Sequence, residues 1–562
     1  MEICIYEDIE RILILFKNIV IMIKKVRGFM SRKNSIVKQA SILAIAGILV
    51  RIIGVLYRSP LTAMIQPEGM GYYSTAYNIY ALILLISSYS IPTAISKLIA
   101  EKLAVNQYNN VQKILKCSFI YICAIGGGAA IVAFFLAPFI VTKNAVMALR
   151  VLCPTIFLSG LLGVFRGYFQ AHQTTLYTSI SQIIEQIFNA IVSIGAAYIF
   201  IQPYINDGGS KLASFGAAGS ALGTGAGVLV GLIYMSFMYM RRKNNLLIKN
   251  NPDNHEDSYQ DIFKMILNIV TPIIIATCIY NLVSTIDMYI YYFAMSQSGL
   301  TDAQTATNWA IYAGEYIVLQ NVPVALASAM STASIPAIST AWATRNIKQT
   351  KQHIKSGIRI TMLILIPACV GMSVLAYPIM GILFPQENTI QTATLLLTLG
   401  SPAIAFYGLS TLSNGILQAV DEVKVPLKNA TIALVAHCIL VPILLFVTPL
   451  GLYALVIGNC TYALHVCYLN QKSLKRKLRY KQEIRRTYIL PIIASIIMGI
   501  VVAMCYYGLF YLTKLVFIPL IISVVLGIMV YFMVIFYFYS DHPNDLNGIP
   551  YINKIMRIFK RH

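Results

Sequence analysis

The chain has 562 residues, 58% of them hydrophobic and only 11% charged, with 43 basic against 21 acidic side chains for a net charge of +22. A soluble protein of this size covers its surface with far more charge, so the composition excludes that class and points to an all-α integral membrane protein. The basic excess reads as loop charge beside anionic lipid headgroups, and nucleic acid is not an expected partner.

Residues 1–34 form an N-terminal extension. Ile9 to Ile23 is apolar but short, contains Lys17 and lacks a small-residue cleavage site, so it is not read as a signal peptide. An interfacial helix is one reading, and Met30 as the true start is the other. Beyond it, apolar stretches long enough to span a bilayer recur at about 35–57, 72–97, 114–138, 145–166, 178–201, 213–240, 262–293, 309–339, 358–382, 391–417, 427–447, 450–470, 488–511 and 515–539. That is about fourteen transmembrane helices. Alternate loops carry the basic residues: Lys97 to Lys116, Arg241 to Lys249, Arg345 to Lys355 and, most densely, Lys472 to Arg486. By the positive-inside rule both termini are expected in the cytoplasm of a bacterial cell, with the chain in its plasma membrane.

The sequence repeats itself. Pro154, Gly167 and Gln170-Ala171 in span 4 recur at the same spacing as Pro402, Gly415 and Gln418-Ala419 in span 10. Span 2 ends in IPTAIS (Ile91–Ser96) and span 8 in IPAIS (Ile335–Ser339). Two pseudo-symmetric six-helix lobes around a central cavity are therefore expected, at 35–240 and 265–470, joined by a cytoplasmic loop at 241–264. A basic loop (471–487), two further helices (488–540) and a cytoplasmic tail (541–562) follow. Six is an even number, so both copies face the same way and the symmetry axis lies along the membrane normal. Prolines inside spans, with Pro92, Pro154, Pro336 and Pro402 foremost, are candidate helix hinges. Gly219, Gly223, Gly227 and Gly231, at four-residue spacing, read as close helix packing.

Ionisable residues at membrane depth cost roughly 2.5–3.5 kcal/mol on insertion scales, so each is a candidate for function. Arg51 and Arg58 are seven residues apart and should share one face, about 10 Å apart, beside Gly47 and Gly54. Two guanidinium groups so placed suit a diphosphate. The other readings are a structural ion pair for Arg51 and an interfacial residue for Arg58. Glu185, Asp287 and Glu315 each lie on a polar helical stripe. Asp287 or Glu315 is expected to pair with Arg51 in the absence of substrate, and all three carboxylates are candidates for a coupling H+ or Na+. Glu185 reads equally as structural. Tyr77 and Tyr80, with Tyr73, lie on one face of span 2, where they either line the cavity and stack on sugars or simply pack. No phosphate-binding loop, H-E-x-x-H or G-x-S-x-G motif occurs, so no catalytic residue, metal or cofactor is expected and the chain reads as no enzyme. A monomer is expected.

The stretches AGILVRIIGVLYRSPL (Ala46–Leu61), GMGYYSTAYNIYALIL (Gly69–Leu84), IPTAISKLIAEK (Ile91–Lys102) and GVFRGYFQAHQTTLYTSISQIIEQ (Gly163–Gln186) resemble the stage V sporulation protein B family. That family belongs to the multidrug/oligosaccharidyl-lipid/polysaccharide exporter superfamily, with the lipid II flippases among its relatives. The resemblance implies a V-shaped pair of six-helix lobes that moves an undecaprenyl-linked saccharide of cell-wall, peptidoglycan or sporulation chemistry. Arg51 and Arg58 match the span 1 arginines that this group is thought to use on the diphosphate. The lipid II flippases also place an arginine from span 8 in the cavity; here span 8 carries Glu315 instead, so a different lipid-linked saccharide is a second possibility. The alternatives are a cation-coupled multidrug exporter, which needs cavity carboxylates without competing arginines, and a membrane enzyme of cell-wall polymer assembly, which needs a loop-borne catalytic site.

Overall fold

The computed structural model describes residues 36–539 apart from 90, 173, 207, 247–255 and 423. The stretch Ile9 to Ile23, Met30 and the tail 541–562 lie outside the described residues. The first half comprises α1 (Ile36–Leu56), α2 (Arg58–Leu84), α3 (Ile91–Ala104), α4 (Tyr108–Tyr121), α5 (Gly127–Ile140), α6 (Val146–Ala171), α7 (Thr175–Ile201) and α8 (Gly209–Leu246). The second comprises α9 (Tyr259–Gln297), α10 (Asp302–Trp309), α11 (Ile317–Ala343), α12 (Ile347–Val374), α13 (Ala376–Leu383), α14 (Ile390–Gly400), α15 (Pro402–Ala419), α16 (Lys424–Val447) and α17 (Leu452–Leu478). Then come α18 (Leu490–Thr513) and α19 (Phe517–Tyr539). Short π-helical turns lie between helices at Leu85–Tyr89, Ile122–Gly126, Ala310–Tyr316 and Arg485–Ile489.

Every expected span falls on one of these helices or helix pairs. By length and composition ten described helical stretches can cross a membrane, or eleven if α14 and α15, bent by 48° to each other, form one span. The helices outside that set include α9 and α11, which carry the polar positions Ser284, Asp287 and Gln320. Helices also run further into the basic loops than the apolar windows do, α8 to Leu246 and α17 to Leu478, because Lys and Arg are good helix formers.

The duplication is visible as packing. A Cβ on Gly167 of α6 would lie 2.8 Å from the Pro92 carbonyl oxygen and 3.0 Å from the Ile95 side chain of α3. A Cβ on Gly415 of α15 would lie 2.2 Å from Ser331 Oγ and 3.1 Å from the Ile335 side chain of α11. The matched glycine thus seats the matched Ile-Pro segment in both halves. The glycine row of α8 packs against α7 in the same way: a Cβ on Gly227 would lie 2.3 Å from the Glu185 carbonyl oxygen. Backbone cannot yield there as a side-chain tip can, so Gly227→Val should cost about 3 kcal/mol, read as a lowered Tm of the purified protein.

Of the proline positions, Pro402 opens α15 at the 48° bend, and Pro92 lies at the start of α3 just after the π-turn Leu85–Tyr89. By contrast, α6 runs on through Pro154. The helix α11 includes position 336, but the Pro336 side chain lies outside the described ones. A further break was not expected: Gln66, before Pro67, has φ 64° and sets Arg58–Ile65 apart from the rest of α2. Gly451, with φ 51°, makes the tight turn between α16 and α17.

The buried core divides unevenly. At the face away from the basic loops one cluster joins both halves, with Leu61, Tyr72, Tyr73 and Leu152 of the first against Tyr291, Trp309, Tyr316 and Leu396 of the second. At the basic face there are two distinct cores, one around Ile95, Ile114 and Tyr168 with Ile262 from the start of α9, the other around Ile338, Ile358, Ile416 and Leu474. Apart from the start of α9, which packs in the first half's core, the halves are therefore welded at the far face and distinct at the basic one. A fourth cluster packs α18 and α19 on α12 through Leu363, Met498, Val502 and Tyr531. Glu483 pins the same helices at the basic face, between Arg359 and Lys355 of α12. Burial would raise the Glu483 carboxyl, but the Arg359 and Lys355 hydrogen bonds outweigh it and hold it below the usual glutamate range.

Candidate substrate and ion site at the seam between the halves

The arginine pair faces across the seam. Arg51 Nη1 donates to the Asn321 carbonyl of α11 at 2.5 Å, and Arg58 Nη1 donates to the Gly314 carbonyl of the π-turn Ala310–Tyr316 at 3.1 Å. Seven residues separate the donors and seven separate the acceptors, as expected for antiparallel helices in register. The two arginines thus point to one surface, as their spacing suggests, although Arg58 begins α2 rather than ending α1. Arg51 is exposed and Arg58 half-buried.

The expected pairing of Arg51 with Asp287 or Glu315 is not found. Asp287 faces away from α1 and pairs with His437 of α16, Oδ1 to Nε2 at 2.6 Å, both groups buried. Glu315 is fully buried in the π-turn, and neither of its carboxyl oxygens has a hydrogen-bond partner. The wider π-turn explains the misreading: it rotates Glu315 away from the direction that 3.6-residue periodicity assigns. Glu185 is held within the first half. Arg166 Nη2 donates to its Oε2 at 2.6 Å while Arg166 Nε donates to Ser181 Oγ at 3.0 Å. This is the structural role that was one of the two readings of Glu185.

The pair is part-buried, so its value lies between the 0–1 kcal/mol of surface pairs and the roughly 3–5 kcal/mol of breaking a buried one. Arg166→Ala should lower stability by about 2 kcal/mol, and Glu185→Gln added to it should recover most of the loss. Denaturation of the two single variants and the double variant checks this; additive losses would contradict it.

The tyrosines divide. Tyr77 is exposed and its ring lies 5.8 Å from Tyr73 and 5.5 Å from Tyr80, centroid to centroid. Tyr73 and Tyr80 are buried, their hydroxyls 3.2 Å from Thr224 Oγ1 and 3.5 Å from Ser159 Oγ. Only Tyr77 of this trio presents a ring for contact, and Arg58 and Glu185 lie within its electrostatic reach.

Polar contacts close the far end of the seam. Asn144 Nδ2 donates to Asp302 Oδ2 at 3.1 Å, Tyr289 donates to the Ile140 carbonyl at 2.7 Å, and Thr75 and Tyr292 share a 3.0 Å hydroxyl contact. Inside the second half, Asn459 of α17 donates to Gln320 at 2.9 Å and accepts from Tyr407 at 2.5 Å. His437, Asn459 and Arg166 escape the sequence reading. The signal was an ionisable or amide side chain within an apolar helix, the same signal that singled out Asp287.

The model of the family described as polysaccharide biosynthesis protein matches residues 36–342, more than half of the chain. The chain belongs to that family. The MatE family model matches residues 272–443, within the second half. Among curated relatives, the family member described here is 25% identical over 495 residues to the lipid II flippase MurJ of Bacillus subtilis, covering 84% of this chain and 88% of that one. It is 22% identical over 474 residues to stage V sporulation protein B of the same organism, covering 84% and 89%. Its fold is similar to that of the lipid II flippase MurJ in an inward closed conformation, with TM-score 0.65 and 16% identity over 89% of this chain and 99% of that one. A MATE crystal structure in complex with MaL6 follows at TM-score 0.57 and 15% identity over 79% and 97%. This member of the polysaccharide biosynthesis family is thus a multi-pass membrane transporter with the two-lobe fold of the MurJ and MATE structures, and the relatives it matches include a lipid II flippase and a sporulation protein.

Proposed function

We propose that the chain moves a lipid-linked saccharide, an undecaprenyl-diphosphate-linked polysaccharide or peptidoglycan precursor, across the bacterial plasma membrane by alternating access. The observation that carries this is the arginine pair aimed across the seam. Arg51 and Arg58 meet neutral carbonyls there, Asn321 and Gly314, which a diphosphate can displace with charge-assisted, bidentate contacts. Tyr77 offers an exposed ring within electrostatic reach of Arg58 for a sugar. The basic face is read as cytoplasmic by the positive-inside rule, with both termini on that side. Cargo then enters between the separate cores of the basic face and leaves when the welded far face parts. The chain works as a monomer, with membrane lipids as its other contacts. A coupling cation, H+ or Na+, is bound by the carboxylates of the second half, Asp287 and Glu315.

A second reading, export of small organic cations, is favoured by Glu315, whose carboxyl oxygens have no partner. Mass spectrometry of lipids that co-purify with the protein separates the two. A diphosphate-linked saccharide lipid is expected. Bulk phospholipid alone, together with efflux of cationic dyes from cells making the protein, would favour the second reading.

A further inference from the structure

Four polar side chains link the two halves at the far face. Glu68 and Tyr72 lie on α2, Asn144 in the short turn Lys143–Ala145 between α5 and α6, and Asp302 at the start of α10. The first three belong to one half and Asp302 to the other. Tyr72 donates to Glu68 Oε1 at 2.9 Å, and Asn144 Nδ2 donates to Tyr72 Oη at 2.9 Å and to Asp302 Oδ2 at 3.1 Å. Both ends are anchored. The Asn144 carbonyl accepts from Ser214 of α8 at 2.7 Å, and Asp302 follows Thr301, which forms a capping box with Gln304 at the start of α10. The four residues adjoin the tightest contact of the weld. Tyr72 follows Gly71, and Asp302 lies about one helical turn before Ala306, against whose carbonyl Gly71 packs.

The hydrogens of this chain are all committed. Asn144 uses both of its amide hydrogens, and the Tyr72 hydroxyl has one. That hydroxyl also stands within hydrogen-bond reach of Asp302, but its single hydrogen goes to Glu68. Two carboxylates thus approach one phenol from opposite halves. A proton on either carboxyl supplies a further donor and removes the like-charge repulsion.

The closed seam takes water from around Asp302. This loss of solvent, with repulsion from Glu68, outweighs the Tyr72 and Asn144 hydrogen bonds and holds the Asp302 carboxyl above the usual aspartate range. Part of the side chain stays exposed, so a proton reaches it from solution. Parting of the halves returns Asp302 to water and to its ordinary range. A carboxyl that binds its proton more tightly in the closed state favours closure. That contribution is fully present below the ordinary aspartate range and is lost as pH rises through the higher closed-state value.

From this arrangement we propose that Glu68, Tyr72, Asn144 and Asp302 form a proton-sensitive clasp on the outer gate: a proton taken up by the two carboxyls holds the far face shut, and its loss lets the halves part. The proposal rests on the reading of the far face as the outer one, through which cargo leaves.

The surrounding elements leave the clasp to these groups. Tyr292 of α9 lies within electrostatic reach of Asp302 as a neutral phenol. Tyr312 and Glu315 of the π-turn lie further along the chain and are buried. Arg58, at the start of α2, is held at the Gly314 carbonyl. Lys143 of the same turn and Lys211 of α8 are the basic side chains of the flanking elements, and neither takes part in setting the Asp302 carboxyl.

Double electron–electron resonance on the full-length protein in lipid nanodiscs, without cargo, tests the clasp. Spin labels carried by a ketone-bearing unnatural amino acid in place of Ile205 and Asn388 spare the native cysteines. Both positions are exposed at the far face, one in each half. The share of the longer distance should grow at least about twofold from about pH 4.5 to about pH 7.5. Asp302→Asn, neutral at every pH, should keep the shorter distance throughout, and Glu68→Gln should weaken the response. If the wild type stays closed at both pH values, the same series in Gly71→Val, whose Cβ presses on the Ala306 backbone, must show the growth. A response unchanged in the Asp302→Asn, Glu68→Gln double variant, or no response in either background, would overturn the proposal. A wrong cargo leaves this result standing, and a pH-indifferent gate leaves the lipid identification untouched.

Discussion

Arg51→Ala should cut the movement of a diphosphate-linked lipid by one to two orders of magnitude while leaving the protein folded. The two consequences separate because of where Arg51 sits. It is exposed, so truncating it opens no buried cavity, and its hydrogen bond to the Asn321 carbonyl is to a neutral group. A loss near 1 kcal/mol in stability is the scale for one such hydrogen bond. Against phosphate the same guanidinium makes charge-assisted contacts worth about 1.5–3 kcal/mol, which is roughly 10–150-fold in binding. Arg51→Lys keeps the charge but loses the planar fork, and should fall between wild type and alanine. Arg58→Ala should act in the same direction, and the double variant should lose movement to background. Flipping in liposomes, with Tm measured in parallel, reads both effects. Wild-type movement in Arg51→Ala would remove the diphosphate from the account.

Gly71→Val should pry apart the far end of the seam. A Cβ at Gly71 would lie 2.0 Å from the carbonyl oxygen and 2.5 Å from the carbonyl carbon of Ala306. Those atoms belong to α10 in the other half, and the obstacle is backbone, so no rotamer change relieves it. The neighbouring contact is less severe: a Cβ at Gly314 would meet side chains, Met70 at 3.0 Å and Ser74 Oγ at 3.3 Å. The far face must therefore separate locally or the weld must fail. Thr75, buried and in contact with Tyr292 across the seam, gives a reporter. A thiol introduced by Thr75→Cys should react with a membrane-impermeant maleimide at least about tenfold faster when Gly71→Val is present, since even 1.4 kcal/mol of bias toward the parted state is a factor of ten. Unchanged labelling with an unchanged Tm would mean that α2 and α10 are not the weld.

The architecture is legible in the sequence because its signals are periodic and local. The apolar windows place the helices, though not the number that cross the membrane; the recurrence of Pro154 with Gly167 and Pro402 with Gly415 marks the duplication, and the four-residue glycine row marks the contact of α8 with α7. The partners within the site are not legible, for a physical reason. Helical periodicity tells which residues share a face, but not which helix that face meets. Asp287 sits on a polar stripe, yet its partner His437 is 150 residues away on α16. The π-turns add a second source of error. One extra residue in the turn at 310–316 redirects Glu315, and no apolar window registers such a change in hydrogen-bond pattern. The arginine spacing reappears as geometry: seven residues separate Arg51 of α1 from Arg58 of α2, and seven separate the carbonyls they reach, Asn321 of α11 and Gly314 of the π-turn before it.

The central claim, that this family member carries a diphosphate-linked saccharide between its two halves, is met most directly by reconstitution. The full-length protein is placed in liposomes that contain a fluorescent undecaprenyl-diphosphate saccharide, and the label exposed on the outer leaflet is followed in time. The account requires movement well above that in protein-free liposomes, and its loss in the Arg51→Ala, Arg58→Ala double variant. Equal rates with and without wild-type protein, under conditions in which the same liposomes transport a cationic dye, would contradict it.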